Sequence, residues 1–252
     1  MEVESLIKGT TKLCRTVPLA HPPLAFYYAD AVPAGTELPS GERTCIVALM
    51  MQARGGATVA AHRERFGCGG AGYYLGFCEP RPGIAEFVST GIPGVMEGER
   101  YKQSPELVEA YMEQNPVGPA PAEYAVIRPV ADLSEAHRPE VIVYIGRADE
   151  LAALVGLANY ARRDDAVICP FGSGCNGALN RPLREAQREE PRAVLGLFDP
   201  SARPYVGGDE LSFAAPVALW EEMVGNAAES FLSTPTWEHL RRRIGSSSGE
   251  TG

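Results

Sequence analysis

Two five-residue stretches, Gly67-Cys68-Gly69-Gly70-Ala71 and Gly174-Cys175-Asn176-Gly177-Ala178, differ at one position and stand 107 residues apart. Glycines beside a cysteine free the backbone for tight turns and let main-chain N–H groups approach a partner without Cβ interference. A helix opening after each turn would add partial positive charge there. Cys68 and Cys175 would then have lowered pKa values and act as nucleophiles or metal ligands. Gly67, Gly69, Gly70, Gly174, Asn176 and Gly177 are the accompanying ligand-binding candidates. A tight turn that merely accommodates a small residue explains either cysteine alone about as well.

A second pair strengthens the pattern. His62 stands six residues before Cys68, and Cys169 stands six before Cys175. Cys68, Cys175, Cys169 and His62 together offer three thiols and an imidazole, a donor set suited to zinc or to an iron–sulfur cluster with mixed ligation. The spacing is not that of a zinc ribbon, and His62, close to Arg63 and Arg65, reads equally as a surface residue. Cys45 and Cys78 are alternative ligands; Cys45 heads an apolar helix and reads more simply as core, and Cys14 as structural. Arg54 and Arg162 occupy matching helix ends, where they could neutralise carboxylates or phosphates of a ligand or cap the helices.

These residues must be positioned by regular elements. Periodicity and punctuation predict strands at 24–28, 58–61, 124–130, 141–145, 166–169, 193–197 and 211–214. Helices are predicted at 5–14 (weakened by Gly9), 46–54, 149–162 and 218–231, with helical patterns near 83–89 and 105–114. Strands and helices alternate, so the expected fold is α/β or α+β, a mixed sheet with flanking helices. Residues 48–59 align with 156–167, which suggests two related strand-helix-strand-loop halves at about 20–80 and 138–190 facing one another across a cleft. The Pro/Gly-rich stretch 80–122 reads as a connector that caps or links. One compact domain over 1–240 is expected, with a disordered tail at 245–252.

The composition sets outer bounds. The chain has 252 residues, 45% hydrophobic and 22% charged, enough for a sizeable core. A net charge of −9 without a basic stripe argues against nucleic acid. No apolar run is long enough for a signal or a membrane span, so a cytoplasmic location is expected and no membrane partner. Six cysteines are too few for a disulfide scaffold and read as free thiols, ligands or redox groups. Motifs for a phosphate-binding loop, a zinc protease helix or a nucleophile elbow do not occur.

Pro22-Pro23-Leu24-Ala25-Phe26, Cys45 leading to Ala53-Arg54-Gly55-Gly56, and Cys68-Gly69-Gly70 with Leu75-Gly76 resemble the family called domain of unknown function 169. Gly172-Ser173-Gly174-Cys175 with Arg181-Pro182, and Gly208-Asp209-Glu210, are similar to its second half. The resemblance spans roughly residues 15 to 230 and implies one family-length unit, but no reaction. It also implies a late Gly-Cys-x-Gly-x-Arg, where this chain has Leu195 to Arg203 without the cysteine; a cluster needing that thiol would have to use Asp199 or another ligand.

Three functional readings follow. The first is a protein that holds a metal, an iron–sulfur cluster or a small anionic ligand between its paired cysteine loops. The second is a thiol-dependent enzyme or redox protein using Cys68 or Cys175. The third is a structural subunit with inert thiols and a partner surface supplied by the aromatic strand Phe26-Tyr27-Tyr28, and a homo-oligomer is compatible with each.

Overall fold

The computed structural model describes residues 2–38 and 44–247. The Pro/Gly-rich stretch 31–42, which its sequence marks as a loop, lies partly, and residues 248–252 of the predicted tail wholly, outside the described residues.

The centre of the molecule is made by two strands that are apolar or aromatic throughout except for Gly146 and Arg147 at the end of the second. β1 (Leu24–Ala29) and β7 (Val141–Arg147) pair antiparallel, with Leu24 opposite Val143 and Phe26 opposite Val141. Continuous apolar runs of this kind mean burial on both faces. Leu24, Phe26, Val141, Val143 and Ile145 enter one core, and Ala25, Tyr27, Ile142 and Tyr144 enter the other.

Around this pair an eight-stranded mixed sheet extends in both directions. On the β1 side lie β6 (Tyr124–Pro129), β3 (Thr58–His62) and the edge strand β2 (Thr36–Glu37). On the β7 side lie β10 (Glu210–Pro216), β9 (Ala193–Gly196) and the edge strand β8 (Val167–Ile168). Only the two outermost pairs, β2 with β3 and β8 with β9, are parallel. A small hairpin, β4 (Gly91–Ile92) with β5 (Met96–Glu97), stands apart from the sheet.

Helices cover both faces. α1 (Val3–Thr16), α6 (Ala148–Asn159) and α8 (Val217–Asn226) pack on the face of Tyr27 and Tyr144, where α9 (Pro235–Ser247) contributes Trp237 and Ile244. α2 (Ile46–Arg54), α3 (Gly69–Tyr74) and α7 (Arg181–Glu185) pack on the face of Phe26 and Ile127. α4 (Ile84–Val88) and α5 (Pro105–Gln114) belong to the excursion between β3 and β6. The expected mixed sheet with flanking helices is therefore present.

The internal duplication is not confirmed. The aligned segments 48–59 and 156–167 put α2 and α6 at equivalent stations, yet these helices lie in opposite core layers. Likewise β3 is an inner strand and β8 an edge strand. The predicted tail also needs correction: residues 245–247 are the last turn of α9.

Gly9 has a different role from the one its low helix propensity suggested. A Cβ at residue 9 would stand 2.2 Å from Val224 Cγ1, so the glycine lets α1 lie close against α8. Gly9→Ala gains about 1 kcal/mol in helix propensity. It loses about 1–3 kcal/mol to overpacking, so a net loss of up to about 2 kcal/mol is expected. Urea unfolding checks this, and a variant more stable than the parent would refute the close-packing role.

Candidate functional site

The two cysteine turns converge. Cys68 is the residue just before α3 and Cys175 lies in the first turn of the helical stretch that starts at Gly174. Both line one pocket of about 340 Å³, together with Cys45, the residue before α2. All six cysteines of the chain are free thiols. The pocket walls are otherwise mainly aliphatic and aromatic: Ile46 and Val47 from α2, Tyr74 from α3, Phe87 from α4, and Val108, Tyr111 and Met112 from α5. The stretch 80–122 thus supplies much of one wall.

The second cysteine turn continues into a π-helical segment, Asn176–Asn180, before α7 begins. Such wide turns leave side chains free for contacts outside the helix. Asn176 Nδ2 donates to Tyr111 Oη at 2.9 Å, and Asn180 Nδ2 donates to Asn176 Oδ1 at 2.9 Å. Arg184 Nη1 donates to Asn115 Oδ1 at 2.9 Å, and Arg181 reaches the same oxygen. These bonds fasten α5 over the pocket.

Asp199 comes from the turn after β9. Leu197, which precedes it by two residues, holds φ at 66°, a left-handed conformation that costs a branched side chain about 1–3 kcal/mol. The turn brings Asp199, 5% exposed, to the pocket wall. Ser201 N and Oγ each donate to Asp199 Oδ1 at 2.9 Å, and Gly174 N donates to Oδ2 at 3.3 Å. Asp199 therefore stands beside the cysteine turn, in the segment where the family resemblance implied a thiol.

The electrostatics correct the expectation of a reactive thiolate at Cys175. Burial pushes its thiol up to about 12; the hydroxyl of Ser173, 3.3 Å from Sγ, acts the other way, and Cys68 and Cys45 raise it further. Cys175 is a neutral thiol at physiological pH. Burial also raises Cys45, against the opposing N–H groups of Val47 and Ala48, and Cys68 and Asp199 add to the rise. Helix N-termini are present, but desolvation outweighs them. Outside the pocket, Cys14 is pushed up to about 11, chiefly by burial.

The proposed metal-ligand set is not gathered. Among the described residues no group of three or more His, Cys, Asp or Glu side chains is arranged to hold a metal ion. His62 stacks edge-on against Tyr124 at 4.8 Å, and its Nδ1 accepts the Glu64 N–H at 3.1 Å. Cys169 and Cys78 are exposed, and neither they nor His62 line the pocket.

The remaining candidates divide in the same way. Gly70 and Gly174 line the pocket, whereas Gly67 and Gly69 do not. Gly69 instead makes room for Arg81, whose Nε would lie 2.4 Å from a Cβ at residue 69. Gly177 packs beside Gly196 of β9, outside the pocket lining. Arg54 pairs with Glu210 at 2.6 Å, and Arg162 pairs with Glu222 and, at 3.9 Å, with Glu190. Both arginines are thus engaged by the protein's own carboxylates.

Sequence reasoning missed the aromatic and aliphatic wall of the cap. A signal was available: Val108, Tyr111 and Met112 sit at i, i+3 and i+4 of α5, the spacing of one helix face.

A mixed sheet layered by helices, with a thiol-lined pocket closed by an excursion between two paired strands, defines the class of protein. The model of the family DUF169, described as Uncharacterised ArCR, matches residues 12–226, and the chain belongs to that family. No protein of curated function and no solved structure matches it significantly. Among the described residues no helix is long and apolar enough to cross a membrane.

Proposed function

We propose that this chain is a small-molecule-binding protein whose ligand occupies the pocket between the two cysteine turns and the cap. The observation that carries this reading is the convergence of Cys45, Cys68 and Cys175 with the α5 wall on one cavity of about 340 Å³. A largely apolar concavity of that size with a few polar groups is the usual form of a small-ligand site. The neutral state of Cys175 favours a role for the thiols in contact and shape over one as ready nucleophiles. The metal and cluster readings lack a gathered donor set, and no step is assigned to them. A small anion is disfavoured by the carboxylate of Asp199 in the wall.

The test uses N-phenyl-1-naphthylamine, a neutral apolar fluorophore. It is expected to bind at one molecule per chain with enhanced, blue-shifted emission. Val108→Trp and Met112→Trp, which fill the pocket from α5, should weaken that binding at least about tenfold while the circular dichroism spectrum stays that of the parent. Unaltered binding in both folded variants, or none in the parent, would refute the assignment.

A further inference from the structure

The pocket's charges are unbalanced. Asp199 lies in its wall and Glu99 at its exposed rim, against one lysine, Lys102. Asp199 is almost fully buried, yet its hydrogen-bond donors, Ser201, Gly174 and the Tyr101 hydroxyl, are all neutral groups. Among the described residues no lysine, arginine or histidine forms an ion pair with it. Buried carboxylates are ordinarily matched by a cation, because desolvating an unpaired charge is expensive.

Aromatic rings stand beside this carboxylate. Tyr101 and Phe171 pack with their ring centres 5.9 Å apart. Burial, and after it the negative charges of Asp199 and Glu99, raise the Tyr101 phenol, which places both carboxylates within electrostatic range of that ring. Lys102 Nζ sits 5.4 Å from the centre of the Tyr111 ring, so this wall already attracts one cation of the chain's own. Ring faces combined with carboxylates are the means by which proteins hold alkylammonium groups.

We propose that the ligand of this pocket is an organic cation, with an ammonium head held by Asp199, Glu99 and the rings of Tyr101 and Phe171, and an apolar body along α5. The inference rests on the reading of the pocket as a ligand site and adds the charge class to it. Lys102, on the rim, acts as a competing positive charge.

The experiment compares three benzyl compounds of different charge: benzyltrimethylammonium, its neutral isostere 2,2-dimethylpropylbenzene, and the smaller anion phenylacetate. Titration calorimetry or ligand-observed NMR gives their affinities for the full chain. Benzyltrimethylammonium is expected to bind about tenfold or more tighter than the neutral isostere, with phenylacetate weakest. Asp199→Asn, which keeps an acceptor oxygen for Ser201, should reduce that preference about tenfold. Lys102→Gln, at the rim and remote from the core, should increase affinity for the cation about threefold or more.

The inference is overturned if the neutral or anionic compound binds as well as the ammonium, or if Lys102→Gln leaves cation affinity unchanged in a folded protein. Binding of N-phenyl-1-naphthylamine without a preference for the cation would remove this inference alone. Binding of none of the four compounds would remove the ligand pocket with it.

Discussion

Arg54→Met is expected to lower the free energy of unfolding by about 3–5 kcal/mol at pH 8, the cost of removing one partner of a buried ion pair. The side chain of Glu210 is 9% exposed and that of Arg54 16%, and their contact is 2.6 Å. The other carboxylate oxygen of Glu210 accepts the Gly207 N–H at 2.8 Å. Without Arg54 the negative charge stays; His21, whose Nε2 is 3.7 Å away, is neutral at pH 8, and Arg203 nearby donates to the backbone carbonyl of Glu210. The methionine fills a similar volume, which separates loss of charge from loss of packing.

The same variant should change how stability responds to acid. In the parent, burial first and the Arg54 charge second lower the His21 pKa, while Glu210 and Glu150 raise it and Arg147 lowers it slightly. A histidine with a depressed folded pKa contributes stability that is present above its unfolded value of about 6.5 and is lost as pH falls through the folded value. In Arg54→Met one lowering influence is gone and Glu210 lacks a cation, so a proton on His21 becomes favourable. The gap between parent and variant should therefore narrow from pH 8 to pH 5.5. His137, also lowered by burial and by Arg128, is common to both proteins and cancels. Urea unfolding at the two pH values decides the matter; a loss below about 1 kcal/mol, or one that widens in acid, would count against this account.

Trp220→Ala should cost about 3–5 kcal/mol as well, by a different route. Trp220 is fully buried in α8, in the core layer it shares with α1, and its Nε1 donates to Thr10 Oγ1 at 2.9 Å. Alanine leaves a cavity that helix packing closes only in part, and the buried Thr10 hydroxyl loses that donor. Trp220→Phe should lose substantially less, since most of the ring volume remains. Against a typical total of about 5–15 kcal/mol, the alanine variant is expected to show a markedly lower thermal midpoint. Equal midpoints for the two variants would contradict the packing argument.

Local signals were legible in the chain. The helix Ile46–Arg54 was bounded by its apolar run and by Gly55-Gly56, and its ends fall where expected. Strands β1 and β7 were visible as continuous apolar runs because both of their faces are covered. The thiol turns were visible because cysteine between glycines is chemically suggestive. α9 was missed because its sequence is mostly polar, with Trp237 and Ile244 as its buried anchors. Which sheet face α2 and α6 cover depends on strand order, a non-local property, so the repeat alignment had no access to it. The direction of the Cys175 pKa was misjudged for the same reason. The groups that line its pocket come from distant parts of the chain, Cys45 and Tyr74 among them.

One feature of the sheet bears on how such a pocket could change its tastes. Residues 63–123 leave β3 and return to β6 at a single rung, His62 opposite Tyr124. The part of the wall that runs from Cys68 through Tyr111 and Met112 is thus spliced into the scaffold at one point, like an interchangeable head on a fixed handle. Rewriting that stretch would leave every pairing of the eight-stranded sheet in place, so chains sharing this sheet could diverge in cargo while their floor, with Cys45, Cys175 and Asp199, stays constant.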